Sequence, residues 1–332
     1  MTRRPIAATP RHDARRAEAR SAVGRSTPRR FVHRPALAAS ALMLLGTAAP
    51  AQELEPRAYS NAPVGFNFLV VGYGRSQGGL SFDPALPIED AKLKIDSAVF
   101  AYARTLDLWG KSGRFDVVLP YSHLSGSAMV AGQPAERQIT GFSEPRFRLS
   151  VNLYGAPALS LQEFSRYQRD LVVGTSLQVS LPSGQYDPSR AINLGSHRWT
   201  VKPDIGFSKA FGAATLDVTA SATFYGDNSD YYGGQTLEQA PLYATQAHLS
   251  WDFGGGIWAA LGGTYYRGSR VTINGNTSLI ELGNSHAGAM LALPVDRHQS
   301  VKFSLSSSIK TRTGSDLTAF AMAWQVRWGA GY

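Results

Sequence analysis

From Val64 to the C-terminus, apolar and polar residues alternate with a period of two, and clusters of glycine, proline, asparagine and aspartate break the alternation at short intervals. Such alternation marks strands with one greasy and one polar face, because successive side chains leave a strand on opposite sides. The last segment is the clearest case. Phe320, Met322, Trp324, Val326, Trp328, Ala330 and Tyr332 share one face, and Ala321, Ala323, Gln325, Arg327, Gly329 and Gly331 the other. The same dyad runs through Leu216, Val218, Ala220, Ala222 and Phe224, and again through Val301, Phe303, Leu305 and Ile309. The pattern predicts about twelve strands, over 64–76, 92–109, 114–128, 144–154, 170–181, 197–210, 214–225, 242–253, 256–267, 279–293, 299–310 and 317–332. Most reach the roughly nine to eleven residues that a tilted strand needs to cross a bilayer. Strands of soluble sandwiches run nearer about five or six.

Connector length alternates as well. GKSG (110–113), FGAA (211–214), FGGG (253–256) and VDRHQ (295–299) are short, whereas 77–91, 129–143, 182–196, 226–241 and 268–278 are long. Residues 155–170 form one long connector on the short side. Turns on one face and loops on the other are the arrangement of an outer-membrane barrel, with its turns in the periplasm. A closed sheet also gives every backbone N–H and C=O a partner in hydrocarbon, where water is absent. Aromatic residues near the strand ends, Tyr121, Tyr154, Trp199, Tyr225, Trp251, Trp258, Tyr265, Tyr266, Trp328 and Tyr332, fit interfacial girdles. The expected fold is therefore all-β: a transmembrane antiparallel up-and-down β-barrel of about twelve strands over residues 64–332, with periplasmic termini.

Composition changes this picture only at the N-terminus. A net charge of +9 suggests nucleic acid until its distribution is counted. Residues 1–51 hold ten of the 33 basic residues and two acids, which leaves 23 basic against 22 acidic residues. No nucleic-acid partner is expected. Residues 1–51 read instead as a signal peptide with an over-long basic n-region, an apolar stretch from Ala36 to Ala49 too short to span a bilayer, and Ala49-Pro50-Ala51 as the cleavage site. Residues 52–63 then form a short periplasmic lead. Zero cysteines exclude disulfides and thiolate metal sites.

Several segments resemble one family. LPY (119–121), RLSVNLYGAPALSLQEF (148–164), LQVSLPSGQYDPSRAINLGSHRW (177–199), PLYATQAHLSWDF (241–253), LALPVDRHQS (291–300) and AWQVRWG (323–329) are similar to the outer-membrane family named for the meta-pathway of phenol degradation. The resemblance spans nearly the whole mature chain. It implies an outer-membrane channel or transporter-like protein, and it carries over no catalytic or ligand-binding residue set.

If the apolar faces look to lipid, the opposite phase lines the lumen. The candidates on that phase are Arg104, Arg114, Asp116, Arg146, Arg148, Lys202, Asp204, Asp217, His248, Asp252, Lys302 and Arg327. Both signs occur, so the expected interior is a salt-bridged, hydrated wall. The expected function is passive passage of small solutes, aromatic or hydrophobic compounds among them, across the bacterial outer membrane. The alternatives are a non-conducting scaffold barrel that presents its external loops, and a lipid-acting barrel enzyme. The enzyme needs a nucleophile, base and orienting group brought together. His123, His197, His248, His286 and His298 each have serine nearby in sequence, yet no G-x-S-x-G elbow accompanies them. No catalytic residue, cofactor or metal is expected, and Asp187, Asp204, Asp227 and Asp230 read as solvated carboxylates rather than a cation site. The expected partners are outer-membrane lipid, small-molecule solutes and the barrel-assembly machinery, the last through the C-terminal strand ending in Tyr332.

Overall fold

The computed structural model describes residues 55–81, 88–130, 132–190 and 192–330. The expected signal peptide, residues 52–54 of the lead and Tyr332 lie outside the described residues. The strands, in chain order, are β1 (Phe66–Ser81), β2 (Ile88–Leu108), β3 (Lys111–Val130), β4 (Gln133–Phe142), β5 (Arg146–Tyr154), β6 (Leu171–Ser180), β7 (Thr200–Phe211), β8 (Ala214–Tyr225), β9 (Asn228–Tyr231), β10 (Gln235–Gln239), β11 (Leu242–Gly254), β12 (Ile257–Gly268), β13 (Val271–Ile273), β14 (Asn276–Thr277), β15 (Leu282–Pro294), β16 (Gln299–Lys310) and β17 (Gly314–Gly329). One helical turn, α1 (Leu161–Phe164), sits in the long connector after β5. Its Ser160 and Glu163 cap it reciprocally.

Twelve strands close an antiparallel ring in the order β1-β2-β3-β5-β6-β7-β8-β11-β12-β15-β16-β17. The ring shuts where β1 pairs with β17, from Phe66↔Gly329 to Ser81↔Gly314. Outside, Leu249, Trp251 and Phe253 on β11, Leu261 on β12, Leu305 and Ile309 on β16, and Phe320, Met322 and Trp324 on β17 are exposed. Their neighbours of opposite phase, among them His248, Ser250, Ala260, Ser306 and Ala319, are buried. An inside-out distribution of this kind is stable only when hydrocarbon surrounds the outer face, which places the protein in the bacterial outer membrane. The height agrees. Tyr243 and Phe253, outward aromatics at the two ends of β11, are ten residues apart. At about 3.3 Å per residue and a tilt near 40°, that spans roughly 25 Å, the apolar band of such barrels.

Above this band β1, β2 and β3 continue outward. The outward row Tyr73, Ala98, Tyr121, Phe142 is followed, one rung higher, by Arg75, Asp96, His123, Thr140. The membrane boundary therefore falls between two adjacent rungs. Of the loops expected over 77–91 and 129–143, the described residues are largely strand, and β3 and β4 pair across the second. Sequence pattern misses β4 because QPAERQITGF has a single large apolar residue on each face, Ile139 on one and Phe142 on the other. This strand stays outside the ring: β5 pairs with β3 as far as Val118↔Arg146, and β4 takes over from Tyr121↔Phe142. Between them Pro145 offers no N–H to a ladder. Short strands β9, β10, β13 and β14 form a second sheet in the loops expected over 226–241 and 268–278, buried around Tyr231, Leu237, Val271 and Ile273.

The loop over 181–199 turns inward. Leu194 is buried against the inward-facing Leu93 and Ile95 of β2, Leu124 of β3 and Leu317 of β17. Gln185 N–H donates to the Phe142 carbonyl at 2.7 Å, and the Ser196 N–H and hydroxyl both donate to Glu144 Oε1 at 2.6 Å. Burial lifts the Glu144 carboxyl above the ordinary carboxylate range, although the Ser196 bonds and the charge of Arg198 pull the other way. Arg198 lies 4.6 Å from the centre of the Tyr225 ring. Together these contacts make the loop an apolar stopper at the external end. Leu194→Asp puts a carboxylate among leucines with no partner, a burial the loop escapes by undocking. Trypsin then cuts at Arg190 in folded barrels of the variant, while the parent resists.

Candidate functional site

The lead does not stay in the periplasm. Expected as a short periplasmic segment over 52–63, it enters the barrel, and residues 55–62 form one wall of an internal cavity of about 480 Å³. Hydrogen bonds from the Val64 N–H to the Leu159 carbonyl (2.9 Å) and from the Gly65 N–H to the Thr105 carbonyl (3.1 Å) fix its lower end. A turn at 56–59 follows, with Arg57 in the left-handed region at φ 65°. The Arg57 N–H donates to Asp217 Oδ2 at 3.1 Å, and its guanidinium donates to Asp252 Oδ2 at 3.3 Å while lying 5.1 Å from the centre of the Trp258 ring. Next to it the Tyr59 hydroxyl donates to Asp204. The Tyr59 ring fills the space left by two glycines: a Cβ on Gly174 or Gly206 would stand 2.1 or 2.7 Å from it. Those glycines are needed for close approach of the plug, not for a turn. Glu55 completes the anchorage by pairing with Arg148. Asn61 Nδ2 also donates to the Pro157 carbonyl at 3.1 Å and the Thr105 hydroxyl to the Pro63 carbonyl at 2.6 Å, and among the described residues the lead shares no ladder with the wall.

Seven of the twelve residues expected in the lumen line this cavity: Arg114, Asp116, Arg146, Arg148, Lys202, Asp204 and Lys302. Asp116 accepts from Arg114 at 2.9 Å and from Arg148 at 3.4 Å. Asp217 and His248 are buried cross-strand partners on β8 and β11. Asp252 sits lower, bridging Arg57 and Arg169. Arg327 shares the inward phase but serves the periplasmic turn, where its Nε and Nη2 donate to the Arg297 carbonyl at 2.9 and 2.6 Å. Arg104 is a correction. On β2 the buried residues Leu93, Ile95, Ser97 and Thr105 are odd-numbered, and Arg104 shares the exposed phase of Phe100. Its charge suggests the lumen, but strand parity sends it outward near the periplasmic end, where a long side chain reaches water.

Residues that sequence reasoning does not single out include Glu55, Arg57, Tyr59 and Met290, all of which line the cavity. Gln325, on the polar face of β17, lines it as well, and Trp258 and Tyr266, expected in the lipid-facing girdle, turn inward instead, Trp258 onto the cavity and Tyr266 to a buried position, because strand parity rather than aromatic character decides the face. The aspartates do not form one cluster: Asp204 faces the cavity on β7, whereas Asp187, Asp227 and Asp230 belong to the external loops. Among the described residues, no group of three or more histidines, aspartates and glutamates gathers as a metal site. His286 Nδ1 and Ser308 Oγ are 3.2 Å apart, but Ser308 also accepts the Leu317 N–H at 3.1 Å and so is tied into the sheet.

Residues 74–316 match the family described as "Putative MetA-pathway of phenol degradation". The chain belongs to this family. No curated protein sequence matches the chain. Among solved structures, this family member is similar to the COG4313 outer membrane channel from Pseudomonas putida F1, with a TM-score of 0.72 and 18% identity over 83% of this chain and 100% of that one. It is also similar to the transport unit of the autotransporter AIDA-I from Escherichia coli, with a TM-score of 0.52 and 10% identity over 87% of this chain and 97% of that one. At such identities the likeness concerns the fold, and the fold is that of an outer-membrane barrel.

Proposed function

We propose that the barrel is a passive channel for small organic solutes, gated by its own N-terminal lead. The observation that carries this reading is a cavity of about 480 Å³ inside a closed ring, walled on one side by a segment with no ladder to the ring. A wall held by a few hydrogen bonds and ion pairs can move while the ladders stay intact. The family match adds a link to aromatic degradation, and the channel from Pseudomonas putida F1 has the same fold. Transport follows the solute gradient. Solute exchange by liposome swelling, with a matched set of small aromatic and aliphatic compounds, tests it: swelling that tracks the reconstituted barrel supports a channel, and none with any solute overturns it.

Arg148 is the natural probe of the wall because it holds Glu55 and Asp116 together. Arg148→Ala removes one positive charge and leaves both carboxylates facing the cavity. The reversal potential in a salt gradient is expected to move toward cation preference, as for any ring whose cations are thinned. An unchanged reversal potential rules this wall out as the selectivity element.

A further inference from the structure

The cavity is not electrically even. Although the chain after residue 51 carries nearly equal numbers of acids and bases, the cavity is lined by six cationic side chains against three anionic ones. The three carboxylates are already engaged. Asp116 is shared by Arg114 and Arg148, Glu55 pairs with Arg148, and Asp204 accepts from Tyr59 and Ser176. The surplus is therefore positive.

The wall also divides into two sectors. Arginines and a lysine come from β3, β5 and β7. Across the ring, β1, β2, β12 and β15 contribute Phe68, Val70, Ala101, Trp258 and Met290, and β16 and β17 contribute Lys302 and Gln325. Within this second sector, among the described residues, Lys302 is the only charged residue lining the cavity. Its ammonium donates to Gln325 Oε1 at 3.1 Å, and no carboxylate lies within ion-pair distance of it among the described residues. Lys302 has Arg114, Glu55 and Arg57 as its charged neighbours and lines the cavity together with the apolar residues of this sector, and such a cation matches an anionic group attached to an apolar body. The cavity volume lies within the roughly 300–1,000 Å³ of small-molecule sites.

Resting on the channel reading, we propose that this cavity is a binding subsite for small organic carboxylates. The apolar body packs on Phe68, Val70 and Met290, and the carboxylate accepts from Lys302, with the cationic wall adding long-range attraction. Neutral solutes of the same shape lose the charge-assisted bond, and organic cations meet repulsion.

Calorimetric titration of the folded mature barrel in detergent tests the subsite without relying on conduction. The probes are benzoate, benzyl alcohol and benzylamine. Benzoate is expected to bind about tenfold or more tighter than benzyl alcohol, a ratio that one charge-assisted bond supplies, and benzylamine is expected not to bind. Lys302→Met erases the preference, and Lys302→Arg keeps it. Folding of each variant is checked by its heat-modifiable gel mobility, and if Lys302→Met does not fold, Lys302→Gln takes its place. Equal affinity for benzoate and benzyl alcohol, absence of benzoate binding, or a preference that survives loss of the Lys302 charge overturns the proposal. Swelling without benzoate preference leaves the channel standing and removes the subsite, whereas benzoate binding without swelling does the reverse.

Discussion

Deletion of residues 55–62 raises the single-channel conductance of the barrel several-fold. Conductance follows the narrowest cross-section, and on the channel reading the lead, which walls one side of the cavity, sets that section. The lead is held by Glu55 on Arg148, Arg57 on Asp217 and Asp252, Tyr59 on Asp204, Asn61 on the Pro157 carbonyl, the Thr105 hydroxyl on the Pro63 carbonyl, and two backbone bonds at its base. Removing it leaves the twelve-strand ring and every β1–β17 pair in place, so heat-modifiable gel mobility is retained. Tyr59→Ala gives a smaller rise, because it empties the pocket at Gly174 and Gly206 while Arg57 and Glu55 still hold the chain. Planar-bilayer recordings of the three proteins order them: parent, Tyr59→Ala, deletion. Were the deletion no more conductive than the parent, the constriction would belong to the external cluster around Leu194, and the gate would be the 181–199 loop.

The second large effect is on stability. Leu261 lies on the lipid face of β12, midway between Ile257 near the periplasmic turn and Tyr265 at the external girdle, and it is 68% exposed on the barrel surface. Leu261→Arg places a guanidinium near the bilayer midplane, which costs on the order of 2–4 kcal/mol in such barrels. The cost is a desolvation penalty, so it should vanish where water is present. Gln246→Arg puts the same side chain on the cavity wall of the adjacent strand β11, and its expected cost is well below that of Leu261→Arg. Urea-dependent unfolding from phospholipid vesicles measures both. Equal costs would mean that β11 and β12 have been assigned the wrong faces.

The barrel itself was legible because its signal is local. In β17, Phe320, Met322 and Trp324 alternate with Ala321, Ala323 and Gln325, and a period of two this strong has one physical reading at ten or more residues per strand. The same parity put Arg114, Asp116, Arg148, Lys202 and Lys302 on the inner face. Where a strand lacked contrast between its faces, as in β4, the pattern went silent. Where charge was weighed above parity, as at Arg104, it misled.

Sequence alone determined that this chain is a lipid-embedded barrel, how many strands close it to a good approximation, and which side of nearly every strand is wet. Tertiary structure decided that the lumen is occupied. The lead has no alternation to announce itself, and Tyr59 finds its place only because Gly174 and Gly206, more than a hundred residues away in the chain, lie side by side on β6 and β7. The charge of the cavity was likewise a tertiary outcome. Near balance along the chain became a positive surplus because ring closure brings Arg146, Lys202 and Lys302 around one cavity and leaves other charges away from it. Strand periodicity encodes which way a side chain points, whereas what it meets across the barrel depends on distances that exist only after the ring has closed.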